Sequence, residues 1–248
     1  MSAANGAEMT GSLQDRLSAV RLYLIATADS EPQATPAWLQ RVSAAVRGGV
    51  GAVQLRQKGT STEVRRQWLT QLREVLGPQV LLLANDDLSA VRSPTGARLA
   101  DGLHLGREDA EALGAHTSSA REERRRAGLA LARKSLGPEL LLGTSTRAAH
   151  EIDLALAAGA DHVGFGAMSA TPTKPEAIVA RPAELTRCLE RFPSLPLFPI
   201  GGISEKTLPR WVALGCLRAA VSSAILEADD PEASALALMR HFEKPCTR

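Results

Sequence analysis

Eight short apolar runs recur along this chain of 248 residues, and helix-like stretches separate most of them. Each run has the length of a buried strand, and polar or small residues follow it. This alternation is typical of an eight-stranded parallel barrel, in which ligands bind at the carboxyl ends of the strands. The runs are residues 22–26, 52–55, 80–84, 102–105, 140–143, 162–168, 197–200 and 217–221.

The length and composition fit one such domain. Hydrophobic residues make up 44 % of the chain, whereas aromatic residues make up only 3 %, so branched aliphatic side chains must fill the interior. No linker or change in composition indicates a second domain. We therefore predict the α/β class with a single (β/α)8 TIM barrel over residues 21–248, preceded by a flexible N-terminal leader over residues 1–20.

Charge and hydropathy exclude several classes of protein. The net charge is only +2, and the most basic stretch, residues 121–126, interleaves arginine with Glu122 and Glu123 and lacks aromatic residues. It is therefore interpreted as a solvated helix face, and no nucleic-acid partner is expected. No run reaches the roughly 20 apolar residues of a membrane span, and no signal core is found. Three widely spaced cysteines match neither a zinc nor a disulfide pattern. A cytoplasmic location is expected, and homo-oligomer formation is left open.

The second predicted strand carries cationic side chains on one face. Gln54, Arg56 and Lys58 alternate with apolar residues, so the two-residue period directs them to the same side. Inside a barrel rim these cations require anions. The alternative is an exposed edge strand with solvated charges, but a closed barrel has no edge.

Carboxylates follow the third and fourth strands. Asn85 and Asp86 end one, and Asp109 comes shortly after the other. Two carboxylates at adjacent strand ends suit a hard cation such as Mg²⁺, which keeps waters and is completed by substrate phosphates. The alternative is that both aspartates are helix caps.

A proline-stiffened loop follows the sixth strand. It carries two hydroxyls and an ammonium group, from Thr171, Thr173 and Lys174, which together would make a preorganised anion contact. The alternative is an ordinary surface loop without a ligand.

Small residues end the last two strands. Gly201 and Gly202 allow backbone N–H groups to approach a ligand closely, and Ser222 and Ser223 precede a helix start. Many barrels bind a phosphate at these strands. The alternative is a pair of tight turns.

The histidines carry little functional signal. His104 lies within an apolar strand, and no histidine neighbours a serine or cysteine in a triad-like local motif. We interpret the histidines as satisfied core or surface residues.

Seven segments in this order resemble the motifs of the thiamine-phosphate synthase and thiazole tautomerase barrel family. The resemblance covers residues 22–226. The combination of the R-x-K strand, the ATPTK loop and the GGI turn makes it specific. The segments are VQLRQKG, AND, DGLHLGRED, LLGTS, ADHVGFGAMSATPTKP, PIGGIS and VSSAIL.

The resemblance implies a transferase of thiamine biosynthesis. Thiamine-phosphate synthases join 4-amino-2-methyl-5-hydroxymethylpyrimidine diphosphate to 4-methyl-5-(2-hydroxyethyl)thiazole phosphate, and release pyrophosphate. The family mechanism is dissociative and requires Mg²⁺: the diphosphate leaves, and the thiazole nitrogen captures the pyrimidine carbocation.

The resemblance also implies roles for particular residues. Gln54 addresses the pyrimidine, Ser145 contacts the diphosphate or pyrimidine region, and Asp86 and Asp109 bind Mg²⁺. The residues implied to hold the diphosphate are Arg56, Lys58, Asn85 and Lys174, the three cations being catalytic. The residues implied to hold the thiazole phosphate are Thr171, Thr173, Gly202, Ser222 and Ser223.

Three other functions are alternatives to this one. A thiazole tautomerase needs neither a metal nor a diphosphate clamp, so Lys58, Asp86, Asp109 and Lys174 argue against it. An aldolase-like lyase would use Lys58 or Lys174 as a Schiff-base amine, and a non-catalytic binder would hold thiazole phosphate without turnover. One departure from the family pattern is Asp87, a third carboxylate that would alter metal binding or be turned away from the site.

Overall fold

Eight parallel strands close into a barrel in the computed structural model, which describes residues 11–28, 31, 33–169 and 179–243. Neighbours along the chain are neighbours in the sheet, and the last strand pairs with the first. The predicted (β/α)8 barrel is confirmed, and every predicted apolar run contributes a strand. The strands are β1 (Leu22–Ala28), β2 (Ala52–Gln57), β3 (Leu81–Asn85), β4 (Gly102–Leu105), β5 (Leu141–Thr146), β6 (His162–Gly166), β7 (Leu197–Ile200) and β8 (Ala219–Val221).

Helices separate most of the strands and cover the outside of the barrel. The connection from β3 to β4 has only a short 3₁₀ turn, Leu88–Val91, as its irregular sequence predicts. The helices are α1 (Leu13–Ala19), α2 (Pro36–Arg47), α3 (Thr62–Leu76), α4 (Arg107–Leu113), α5 (Arg121–Leu136), α6 (Ala149–Ala157), α7 (Pro182–Arg191), α8 (Leu208–Ala213), α9 (Ser223–Leu226) and α10 (Pro231–Glu243).

The third helix illustrates how local sequence sets the boundaries. The Ser61 side chain accepts a hydrogen bond from the Val64 N–H at 3.3 Å, which caps the first turn. Gly77 ends α3 at φ +72°, in the left-handed region that favours glycine. Between these ends, an apolar stripe that includes Trp68 and Leu72 is buried against the barrel.

Two apolar layers hold the barrel together. The larger lies between the strands and the helices. The smaller fills the barrel itself, where inward side chains such as Tyr23, Leu83 and Phe198 pack together. Alternation along each strand produces both layers, because successive side chains point to opposite faces.

Helix α1 belongs to the smaller layer. Leu17 is 1 % exposed and packs with Val20 in the interior cluster, so this helix covers one mouth of the barrel. The Arg16 guanidinium also donates to the carbonyl oxygen of Pro78 at 2.7 Å. The expectation of a flexible leader as far as residue 20 is therefore wrong for Leu13–Ala19. Residues 1–10 lie outside the described part of the chain.

The charged segment before β5 is not a simple solvated face. It contains α5, and Arg125 of this helix is 7 % exposed. The Arg125 guanidinium donates to Glu111 of α4 at 2.6 Å and to Glu151 of α6 at 3.1 Å. Helix α4 itself was not predicted. The charges of α5 thus tie three helices together beneath the rim.

Candidate active site

The predicted polar residues that the structure describes lie at the carboxyl rim of the barrel. The register aligns Thr27 with Arg56 and Asn85 with His104 across neighbouring strands. Because residues two apart share a face, Gln54 lies one layer below Arg56. The rim therefore brings together side chains that are far apart in the sequence.

Gln54 forms part of the floor below the rim. Its side chain is 3 % exposed, and Nε2 donates to Tyr23 Oη at 3.1 Å. Burial raises the pKa of Tyr23 well above its usual range, so the phenol is neutral. The hydrogen bond to Tyr23 holds one end of the amide, and Oε1 remains to accept a hydrogen bond from a ligand. Tyr23 was not anticipated from the sequence, although it occupies an inward position of β1.

Arg56 and Lys58 supply positive charge at the rim. Arg56 is half-buried and Lys58 is exposed. Within the described residues, neither forms an ion pair with a carboxylate or a hydrogen bond through its charged group. A half-buried guanidinium without a partner is an unusual arrangement, because buried charges in proteins are generally paired. This part of the site therefore favours an anionic ligand.

Asp86 and Asp109 lie beside each other. Asp86 Oδ1 accepts from the Gly106 N–H at 2.7 Å, and a methyl group added at Gly106 would lie 2.8 Å from Asp109 Oδ2 and 3.3 Å from Asp86 Oδ1. Burial and the adjacent Asp86 carboxylate raise the pKa of Asp109, and the charge of Lys58 opposes this shift. Asp109 lies in the first turn of α4, where Gly106 precedes the helix without a side-chain cap. Asn85 donates to Asp86 through its amide nitrogen.

The two carboxylates could bind one hard cation, but they supply only some of the ligands that it needs. No cluster of three or more histidine, cysteine, aspartate or glutamate side chains suited to a metal ion is found among the described residues. Two adjacent oxygen donors with open coordination positions are typical of Mg²⁺ sites that substrate phosphates and waters complete.

Asp87 is turned away from this pair. Its carboxylate accepts from the Arg65 guanidinium at 2.7 Å and from the Thr62 hydroxyl at 2.8 Å, and it also caps the 3₁₀ turn that follows. The charge of Asp87 is therefore neutralised on the helix side. Of the two outcomes expected from sequence, the structure shows the carboxylate turned away.

Ser145 at the end of β5 has an unexpected partner. Its Oγ lies 3.0 Å from Nε2 of His104 on β4. Burial lowers the pKa of His104 to about 4. The prediction that His104 lies within a strand is confirmed, but its contact with Ser145 at the rim was not predicted. The signal in the sequence was that His104 is a polar residue at an inward position, two residues before Gly106, where the strand has ended.

On the opposite side of the rim, the first and last strands meet. The Ser222 hydroxyl donates to the Ile25 carbonyl oxygen at 2.7 Å and lies 3.3 Å from Thr27 Oγ1. Ser223 then begins the short helix α9. Gly202 is exposed with φ +66°, and its carbonyl oxygen accepts from Thr207. These groups form a small, polar, uncharged part of the rim.

The predicted loop residues Thr171, Thr173 and Lys174 lie outside the described residues. The chain on either side of the loop lies at the end of β7. Ser169 N–H donates to the Gly201 carbonyl oxygen at 3.2 Å, and Ala180 N–H donates to that of Ala167 at 2.7 Å. These two hydrogen bonds hold the described chain on both sides of the gap next to Gly201.

A family model and the sequence relatives agree on one family. A family model described as thiamine monophosphate synthase matches residues 22–225. The chain is 36 % identical to a thiamine-phosphate synthase from Gloeobacter violaceus over 222 residues, which cover 89 % of this chain and 57 % of that protein. It is 35 % identical to the thiamine-phosphate synthase of Thermobifida fusca over 238 residues, which cover 94 % of this chain and 97 % of that one. The chain thus spans little more than half of one relative and nearly all of the other.

A solved structure shares the fold. Thiamine phosphate pyrophosphorylase from Pyrococcus furiosus superposes with a TM-score of 0.66 at 23 % sequence identity, covering 94 % of this chain and 98 % of that one. At this identity the likeness supports the architecture alone, since one barrel fold hosts many chemistries.

Proposed function

Because this chain belongs to the thiamine monophosphate synthase family, we propose that it is a thiamine-phosphate synthase. The substrates are 4-amino-2-methyl-5-hydroxymethylpyrimidine diphosphate and 4-methyl-5-(2-hydroxyethyl)thiazole phosphate. The bond between the pyrimidine methylene carbon and the diphosphate oxygen breaks, and its electron pair leaves with pyrophosphate. The thiazole nitrogen lone pair then forms the new carbon–nitrogen bond of thiamine phosphate.

The observation that carries this proposal is positive charge at the rim that has no ion-pair partner among the described residues. A bond that ionises needs its departing anion stabilised, and preorganised cations do this without reorganising at the moment of reaction. Arg56 and Lys58 supply such charge. We assign both cations to the diphosphate. Asp87 does not neutralise them, because it is already paired with Arg65. Lys174 and Asn85 complete the set in this assignment. No nucleophilic side chain is needed.

Asp86 and Asp109 are assigned to Mg²⁺. An ion held there would supply positive charge to the departing diphosphate. The adjacent carboxylates support this assignment, because they repel each other and a cation relieves that repulsion. Gly106 supports it too, since its lack of a side chain leaves room for both carboxylates.

The remaining site residues are assigned either to the pyrimidine substrate or to the thiazole phosphate. Gln54, held by Tyr23, is assigned to the pyrimidine, and Ser145 to the pyrimidine or diphosphate region. The uncharged side of the rim suits a phosphate monoester held by hydroxyl and backbone groups. The groups assigned to the thiazole phosphate are Thr171, Thr173, Gly202, Ser222 and Ser223.

The direct test mixes purified protein with both substrates and Mg²⁺. We expect thiamine phosphate and pyrophosphate in equal amounts, and neither product when one substrate is omitted. Arg56→Ala should remove most of the turnover, whereas Arg210→Ala, which changes an exposed arginine stacked on Trp211, should leave it intact. Thiazole phosphate binding without either product would instead support a binder, and thiazole isomerisation without the diphosphate substrate would support a tautomerase.

Several wider expectations stay predictions. Within the described part of the chain, no helix combines the length and apolar character needed to cross a bilayer. Cys188 and Cys216 are buried free thiols. We propose a cytoplasmic enzyme acting on small molecules, with no nucleic-acid partner. Whether it forms a homo-oligomer is left to direct measurement of its mass in solution.

A further inference from the structure

A buried histidine joins the interior of the barrel to the rim. His104 is 8 % exposed, and its Nε2 lies 3.0 Å from Ser145 Oγ. Its other ring nitrogen, Nδ1, is buried without a hydrogen-bond partner among the described residues. On its inner side the ring lies near His162, with the ring centroids 5.7 Å apart. The hydrogen bond to Ser145 is thus the one polar contact of this ring in the described part of the chain.

The unpartnered Nδ1 decides which nitrogen carries the proton. The ring is neutral at ordinary pH because burial holds the pKa of His104 near 4, so only one nitrogen is protonated. A proton on Nδ1 would leave a buried N–H donor unpaired, whereas a proton on Nε2 leaves only a lone pair unpaired. Orphaned N–H groups are rarer in proteins than orphaned acceptors. The arrangement therefore favours Nε2–H donating to Ser145 Oγ.

This tautomer determines whether Ser145 donates or accepts a hydrogen bond with a ligand. When Ser145 Oγ accepts from His104, its own hydrogen is left free, and no described residue accepts it. Ser145 is only half-buried, so this hydrogen can reach the open mouth. In the opposite tautomer, the bare Nε2 would accept a hydrogen bond from the Ser145 hydroxyl. The serine oxygen could then only accept a hydrogen bond from a ligand.

We propose that His104 is a positioning residue that makes Ser145 a hydrogen-bond donor to the pyrimidine diphosphate. The histidine itself does not touch substrate. Because its Nε2–H donates to the serine oxygen, the histidine does not accept the serine hydrogen. That hydrogen is therefore available to the substrate. The acceptor is an oxygen or ring nitrogen of the diphosphate substrate, so this inference rests on the proposed function for the identity of the ligand.

The tautomer can be measured without any turnover. Nitrogen-15 NMR of histidine-labelled protein distinguishes a protonated from a bare ring nitrogen, and the ring whose signals shift in Ser145→Ala is His104. We expect a protonated Nε2 and a bare Nδ1. A protonated Nδ1 would overturn the proposal, whatever reaction the protein catalyses.

A double-mutant cycle tests the action through Ser145. We expect His104→Phe and Ser145→Ala each to lower kcat/KM for the pyrimidine diphosphate about tenfold, the worth of one hydrogen bond to a charged ligand. The double variant should fall within about twofold of Ser145→Ala alone, because the histidine has no effect without the hydroxyl. His104→Gln, which keeps a donor near the Nε2 position, should recover most of the loss. KM for thiazole phosphate should not change.

His162→Phe is the matched control. His162 is a neighbouring, fully buried histidine of the same interior, but it makes no hydrogen bond to Ser145. We expect it to leave kcat/KM nearly unchanged when its fold is intact by circular dichroism. Additive losses for His104 and Ser145 would reject the inference while leaving the proposed function in place. Absence of turnover in the unsubstituted protein would instead count against the proposed function, with the NMR measurement still deciding the tautomer.

Discussion

Asp86 follows strand β3 and Asp109 lies in the first turn of helix α4, yet their carboxylates flank the same glycine, Gly106. Asp86 reaches this place with φ +62°, a left-handed conformation uncommon for residues other than glycine. Its carboxylate is held there by the Gly106 N–H. Backbone strain and mutual repulsion at one point indicate that these carboxylates serve binding rather than folding.

Asp109→Asn should therefore separate function from stability. We expect the Mg²⁺ concentration for half-maximal activity to rise by at least the tenfold that loss of even an outer partner causes. Without metal, the melting temperature should stay equal or rise slightly, because the substitution removes one of two adjacent like charges. Asp153→Asn, which alters an exposed aspartate paired with Arg191, should leave the Mg²⁺ dependence unchanged. Equal Mg²⁺ dependence in both variants would remove Asp109 from the metal site.

Lys174→Ala should lower turnover by about 10²-fold if this ammonium stabilises the departing diphosphate. The prediction rests on the sequence motif, since Lys174 lies outside the described residues. Lys206→Ala changes an exposed lysine elsewhere and provides the control. Near-normal turnover of Lys174→Ala would show that Lys174 is not a catalytic residue.

Two buried histidines should make stability depend on pH. Burial lowers the pKa of His104 to about 4 and that of His162 well below its usual range. The unfolded chain, with histidine pKa values near 6.5, therefore binds more protons than the folded chain below that pH. Above about pH 6.5 both histidines are neutral in the folded and the unfolded chain, and they cause no loss of stability. As the pH drops from 6.5 towards 4, the free energy of unfolding falls by up to about 1.4 kcal/mol per pH unit for each histidine.

Urea unfolding between pH 8 and pH 5 would check this expectation. His162→Phe should flatten the dependence, since one of the two groups is then absent. A variant that loses stability with falling pH as steeply as the unsubstituted protein would show that His162 does not contribute.

Glu151→Gln should destabilise the fold by about 3 kcal/mol, the cost of breaking a buried ion pair. Glu151 is 5 % exposed and binds the guanidinium groups of Arg107 and Arg125 together with the Arg147 N–H. The neutral amide would leave the arginines with too little negative charge.

Asp153→Asn is the control on the same helix. Its pair with Arg191 is solvent-exposed, so the loss should stay below about 1 kcal/mol. Chemical denaturation of both variants measures the difference. Equal, small losses would mean that the network around Glu151 adds nothing beyond a surface pair.

The sequence predicts the elements whose signals are local. The apolar stripe with Trp68 and Leu72, followed by Gly77-Pro78, predicts a helix over residues 62–76, and α3 has these bounds. Helix α1 escaped prediction because it is only seven residues long and follows a polar, small-residue stretch. Its available signal was the capping box of Ser12 and Asp15.

The same distinction applies to the site. Arg56 and Asp86 could be placed at the rim because each directly follows or ends an apolar run. The contact between His104 and Ser145 could not, because 41 residues separate them and only the barrel register brings them together. Likewise, the pairing of Asp87 with Arg65 depends on how α3 packs beside β3. Long-range contacts of this kind leave no periodic trace in the chain.

The backbones of helices α4 and α5 approach each other closely at two glycines. A methyl group at Gly128 would lie 1.9 Å from the Ala110 carbonyl oxygen, and one at Gly114 would lie 2.0 Å from that of Arg124. The position of α5 therefore constrains that of α4, which carries Asp109 in its first turn. A side chain at Gly114 or Gly128 would force the two helices apart, so the placement of a carboxylate at the mouth depends on two glycines outside the site.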